Sequence, residues 1–157
     1  MRPGQAMLET VLAVLFITFL LLGCLWLSRL LVARQLLDHA AARAARAKAV
    51  GLNDFMCVKA ARVAIIPVAG ERLTPKGISG ADEVGRLSDY MNAEDESYAA
   101  AILDYKWWPE LRLDVSSGFG VAGVTEVETE LTTDEWSIDG RAAIETHFPY
   151  YMYDQGL

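Results

Sequence analysis

The sequence predicts an α+β protein in which a long N-terminal membrane-spanning helix is followed by short helices and a small antiparallel β-sheet. Three observations carry that prediction. No charged residue occurs from Thr10 to Ser28, nineteen residues, and a helix of that length is roughly 28 Å long, close to the ~30 Å hydrocarbon thickness of a bilayer. Beyond it, apolar residues recur at helical intervals as far as Ala47, and from Glu110 onward the apolar period changes to two.

Composition bounds the remainder. Of 157 residues, about fifty go to the N-terminal helix, leaving enough for one small globular domain. Charge is divided along the chain. Residues 1–70 hold eight basic and three acidic side chains, whereas residues 71–157 hold six and eighteen, within a net charge of −7. The distal part therefore lacks the basic footprint that phosphate contacts require, which argues against nucleic acid as a partner. Cys24 lies inside the apolar helix and Cys57 well beyond it, so no disulfide framework or zinc spacing is present.

At the head of the apolar run stands Gly4-Gln5-Ala6-Met7-Leu8-Glu9. A carboxylate just inside a membrane segment costs several kcal/mol unless paired, so Glu9 is a functional candidate. Glycine, four non-acidic residues, glutamate and an apolar helix together resemble the processing site of type IV prepilins. The resemblance implies a four-residue leader (1–4), a prepilin peptidase that cuts between Gly4 and Gln5, and Glu9 as fifth residue of the mature chain. The new amine of Gln5 and the carboxylate of Glu9 then lie one helical turn apart and can pair within a chain or between neighbours. Many type IV pilins carry a proline in this helix; here there is only Gly23, which favours a minor subunit or pseudopilin. A competing pattern is Leu21-Leu22-Gly23-Cys24, which looks like a lipobox. Against it stand Glu9 in what should be a cationic leader and Leu25-Trp26-Leu27 where a polar tether belongs. Arg29 and Arg34 after the helix outnumber Arg2 before it, contrary to the positive-inside rule for an N-in orientation; the leader motif is what places the C-terminal domain outside the cytoplasm.

The helix should continue to Gly51, a plausible stop. Ala33, Leu36, Leu37, Ala40, Ala41, Ala44 and Ala47 form one stripe, and Gln35, Asp38, His39, Arg43 and Arg46 form the other side. The small residues Ala33, Ala40 and Ala44 would let another helix backbone approach closely, as at tight subunit contacts. The run from His39 to Ala47 also resembles the segment after the membrane helix in the TadE-like branch of pilins, minor subunits of tight-adherence pili. The chain thus divides into 1–4 leader, 5–51 membrane-spanning and amphipathic helix, and 52–157 extracytoplasmic α+β domain.

Asp54 is a good N-cap for a helix through Phe55, Val58 and Ala61 towards Ile65, although Arg62 to Val68 has an alternative reading as a strand. Gly70 to Gly80, with Pro75, reads as a loop. Asp82 can cap a helix through Val84, Leu87 and Met91, and Asn92 a second that puts Tyr98, Ala101, Ile102 and Tyr105 on one side. Three half-buried strands follow: Leu111, Leu113, Val115; Thr125, Val127, Thr129, Leu131; and Ala142, Ile144, Thr146, Phe148. Turns are expected at Gly118-Phe119-Gly120 and Asp139-Gly140.

No catalytic motif emerges. His39 and His147 have no nucleophile in a recognisable local pattern, and no phosphate-binding glycine loop occurs, so neither an enzyme nor a cofactor is expected. Glu94-Asp95-Glu96 and Glu126/Glu128/Glu130 lack calcium-loop spacing and read as solvated faces, leaving no metal expectation. Trp107-Trp108 reads as packing, and Tyr150-Tyr151-Met152-Tyr153 as a contact surface. The expected function is that of a pilin-like structural subunit of a bacterial pilus or secretion machine, held in the cytoplasmic membrane, whose partners are the lipid bilayer, other pilin-like subunits and prepilin peptidase. The alternative is a single-pass membrane-anchored, lipoprotein-type binding or sensor domain.

Overall fold

The computed structural model describes residues 3–76, 80–117 and 124–145, with side chains for 7–76, 85–116 and 124–145. Helix α1 (Pro3–Ala49) is followed by α2 (Asp54–Ala64), a 3-10 turn (Ile66–Val68), β1 (Arg72–Thr74), α3 (Gly80–Asn92), α4 (Glu96–Ile102), β2 (Asp104–Tyr105) and strands β3 (Leu111–Ser117), β4 (Val124–Thr132) and β5 (Ser137–Glu145). The class is α+β, as the apolar periods require. Two compact units divide α1: Met1–Ala33, and Arg34–Leu157.

Within the first unit the helix is apolar, and it is exposed from Met7 to Arg29. From Met7 it is long and apolar enough to cross a membrane, with a mean hydropathy of 2.6 over its most apolar stretch, none of which is buried. Phe19 is 75 % exposed. Hydroxyls here bond back to the helix: Thr18 donates to the Val14 carbonyl at 2.8 Å and Ser28 to that of Leu25 at 2.9 Å. That suits a medium that offers no water as partner.

The second unit is a helix-on-sheet body whose core begins in α1. Leu37, Ala40, Ala41, Ala44 and Ala45 are fully buried and cluster with Cys57, Ala61 and Ile65 of the α2 region, Tyr90 of α3, Trp108, and Val127 and Leu131 of β4. Trp108 is the largest buried side chain and packs on Tyr90 and Tyr105 at ring-centroid distances of 5.1 and 4.8 Å. The packing role read for the tryptophans therefore holds at Trp108.

α1 stops where glycine allows it. Gly51 adopts a φ of 90°, the Leu52 amide reaches back to the Ala47 carbonyl at 3.0 Å, and the Gly51 amide to that of Lys48 at 2.9 Å. This pair of bonds is a Schellman closure. Asn53 rather than Asp54 caps α2: its side chain accepts from the Met56 amide at 2.9 Å. Asp54 is the first helical residue and instead pairs with Lys48 at 2.7 Å. The strand alternative for Arg62 to Val68 fails, because helix and 3-10 turn occupy it.

Four other expectations change. The loop from Gly70 contains β1, which pairs antiparallel with β2 through Arg72 and Tyr105; strands this short leave no periodic signal. Asp82 lies within the first turn of α3, which starts at Gly80. Asn92 closes α3 instead of opening the next helix. α4 starts at Glu96, buries Ala99 and leaves Tyr98 62 % exposed, and Tyr105 belongs to β2. Asp139-Gly140 is not a turn. The β4–β5 connection is at Thr133 to Trp136, where the Thr133 amide donates to the Trp136 carbonyl at 2.8 Å and the Trp136 amide to Thr133 Oγ1 at 3.1 Å.

The sheet has the order β3-β4-β5, antiparallel throughout. Leu113 faces Thr129, which faces Gly140, and Val115 faces Val127, which faces Ala142. Burial in β4 alternates without interruption, Thr125, Val127, Thr129 and Leu131 pointing inward, as the period of two demands. Thr146, Phe148, His147, the turn expected at Gly118-Phe119-Gly120 and the tyrosines at 150–153 lie outside the described residues.

Candidate functional site

The residues expected to act in processing and assembly all lie on α1, spread along it. Gly4 and Gln5 are in its first turn. Glu9 follows on an exposed stretch and is the sole ionisable acid or base in the sequence from Met7 to Ser28 apart from Cys24. Ala33, Ala40 and Ala44 begin twenty-four residues later, about 36 Å along the axis at 1.5 Å per residue. The structure thus separates two sets, an acidic group at the head of an apolar helix and a stripe of small residues in its second half.

Two of the small residues, Ala40 and Ala44, belong to the core of the second unit. Ala33 is 1 % exposed and Ala40 and Ala44 fully buried. Beside them, Gly140 of β5 sits so near α1 that a Cβ there would lie 2.5 Å from the Leu37 carbonyl carbon and 2.6 Å from the Asp38 nitrogen. Two side chains fix this crossing. Thr129 Oγ1 lies 3.2 Å from both the Leu37 and the Gly140 carbonyl oxygens, and the Arg141 amide donates to Asp38 Oδ1 at 3.1 Å. Sequence reasoning did not find this junction. Its only local signals are inward-facing Thr129 and a glycine inside a strand, which marks close backbone approach as often as a turn.

A second unforeseen feature is Lys59, fully buried on α2. Its ammonium donates to the carbonyls of Met91, at 3.1 Å, and Ala93, which end α3, and it lies 4.5 Å from the Phe55 ring centroid and 5.6 Å from that of Tyr90. A cation at a helix C-terminus meets the negative end of the dipole. Burial nonetheless pushes its pKa below the ordinary 10.5, because the ammonium loses its water. Burial also raises the Cys57 thiol and the Tyr90 phenol.

Away from the core the two layers present opposite charge. Gln35, His39, Arg43 and Arg46 are exposed along the outer side of α1, and Asp114, Glu126, Glu128, Glu130, Asp139 and Glu145 along the outer face of the sheet, together with Arg112 and Arg141. Among the described residues no cluster of three or more His, Cys, Asp or Glu side chains is arranged to hold a metal ion. Cys24 is exposed on α1, and the open space around Gly23 holds no atom within 4 Å of a Cβ built there.

None of the curated proteins or solved structures compared with the chain matches it. The family model described as TadE-like protein matches residues 4–46, so that from Gly4 of the processing motif through the alanine-arginine run the chain is similar to TadE-like proteins, and the N-terminal helix is the part that carries the likeness.

Proposed function

We propose that the chain is a pilin-like structural subunit, without catalytic activity, of a Tad-type pilus or related secretion machine. It is held in the bacterial cytoplasmic membrane by the first part of α1, with its C-terminal domain outside the cytoplasm. Prepilin peptidase cuts after Gly4, and the mature chain joins other pilin-like subunits through its N-terminal helix. The observation that carries this reading is the TadE-like match over residues 4–46, which starts at Gly4 and covers an exposed apolar helix with one carboxylate at its head. With Ala40 and Ala44 occupied in the chain's own core, contacts between helices fall to the apolar stretch and to Glu9.

Glu9 pairs with the amine freed at Gln5. As the subunit leaves lipid for a packed bundle, water is excluded and the pair strengthens, although desolvation offsets part of the gain. The experiment is to express the chain with its cognate assembly system and measure intact mass in membranes and in sheared filaments. The wild-type chain loses Met1 to Gly4, Gly4→Val stays uncut, and Glu9→Ala is cut but is depleted from filaments at least about tenfold. A chain that keeps its first four residues beside an active peptidase, or one cut and acylated at Cys24 as the lipobox pattern would have it, overturns the reading. Normal incorporation of Glu9→Ala removes the pairing role alone.

A further inference from the structure

The outer face of the β3-β4-β5 sheet is charged in a way that costs the isolated fold stability. Register sets Asp114 directly opposite Glu128, and Glu130 directly opposite Asp139. Like charges in facing positions destabilise a sheet. Only the Glu128 to Arg141 pair, at 2.8 Å, is a formed ion pair on this face among the described residues. Six exposed carboxylates stand there against Arg112 and Arg141, and between Arg112, Asp114, Glu128, Glu130 and Asp139 the surface dips into a depression of about 540 Å³. A face that repels itself is relieved by a cationic partner.

The same body carries such a partner on its other side. Strand alternation turns Thr129 and Gly140 towards α1 and Glu128 and Arg141 away from it, so the acidic face and α1 lie on opposite sides of the sheet. On α1, positions 35, 39, 43 and 46 follow one another at four, four and three residues, a single helical side, opposite buried Leu37, Ala40, Ala41 and Ala44. Arg43 and Arg46 are exposed there and form no ion pair among the described residues. Dimensions also agree: three strands about 4.8 Å apart make a face about 10 to 14 Å wide, and a helix with side chains is about 10 to 12 Å across.

We propose that the outer face of this sheet is a docking surface for a second copy of the chain, which presents the Arg43/Arg46 side of α1. Because the two complementary surfaces lie on opposite sides of one body, the contact is heterologous and adds further copies without closing. This deepens the subunit reading and rests on it for its setting, but it requires neither the cut after Gly4 nor Glu9.

The test uses the full chain in detergent micelles, with self-association measured by sedimentation equilibrium over a salt series. Asp114→Arg with Asp139→Arg removes both facing like-charge pairs, so the fold is not endangered. Arg43→Glu with Arg46→Glu changes exposed positions. Wild-type association weakens as salt rises, each double variant weakens it about tenfold at low salt, and the chain carrying all four changes regains it. Association that is indifferent to both swaps overturns the proposal, as it would if the face receives a different basic protein. Loss in both without recovery in the fourfold variant overturns it as well. A chain that stays uncut yet shows the recovery would sink the processing reading and leave this contact standing.

Discussion

At the scale of single residues, Gly140 and Lys59 hold the body together by opposite means, one by having no side chain and the other by burying a charged one. A methyl group at Gly140 would meet the backbone of Leu37 and Asp38 at 2.5 and 2.6 Å, and backbone atoms of a packed helix cannot swing aside as a side-chain tip can. Gly140→Ala should therefore lower stability by about 2 to 3 kcal/mol, in the range of overpacking, whereas Gly23→Ala, with open space around it, should leave it unchanged. Denaturant titration of the detergent-solubilised chain checks both, and equal midpoints would refute the close crossing. For Lys59 the sign follows from linkage. Its pKa is depressed in the folded state, so between that value and 10.5 the unfolded chain binds more protons, and stability rises with pH. Below the folded pKa both states are protonated and no slope remains. Lys59→Met should remove the rise relative to wild type, measured by denaturation at intervals from pH 7 to about pH 10, the pKa of an unperturbed tyrosine. An identical pH dependence in the variant would show that the lysine is not buried as a charge.

At the scale of elements, what could be read from sequence is what local periodicity records. The β4 alternation of Thr125, Val127, Thr129 and Leu131 stands as read, as does the arrest of α1 near Gly51, because both depend on neighbours within a few residues. Asp139-Gly140 was illegible for a physical reason: the dipeptide is a turn signal in isolation, and only the approach of Leu37, a hundred residues earlier in order of magnitude, makes a mid-strand glycine necessary. The two-residue β2 and three-residue β1 are too short to show a period and exist by pairing with each other. Asn92 looked like a cap because capping and helix-ending asparagines are alike in composition, and α3's end is fixed from outside by Lys59 on the Met91 and Ala93 carbonyls. Of the candidate site, the motif from Gly4 to Glu9 was legible, since it is contiguous. The alanine stripe is read from its spacing as a contact for neighbouring helices; that Ala40 and Ala44 are buried with Cys57, Ala61, Val127 and Leu131 of the same chain depends on residues too far along the sequence to leave a local trace.

At the scale of the whole molecule, α1 serves two environments, and the change between them falls near Arg34, where the second compact unit begins. From Met7 to Trp26 its apolar side chains are exposed; after Arg34, Leu37, Ala40, Ala41, Ala44 and Ala45 are fully buried. Burying one leucine and four alanine methyls is worth about 5 kcal/mol at about 2 for the leucine and 0.8 per methyl. That is comparable with the whole net stability of a small domain, about 5 to 15 kcal/mol. The second half of α1 is therefore part of the domain rather than a tether to it. Two fragments separate these possibilities. Residues 34–157 should remain soluble without detergent and unfold in one cooperative transition in urea, with helix and sheet signals lost together. Residues 54–157 lack the stripe, expose Val127 and Leu131, and should show no cooperative transition. Equal midpoints for the two fragments would mean that α1 lies on the domain without stabilising it, and the burial of its alanines would then have no energetic weight.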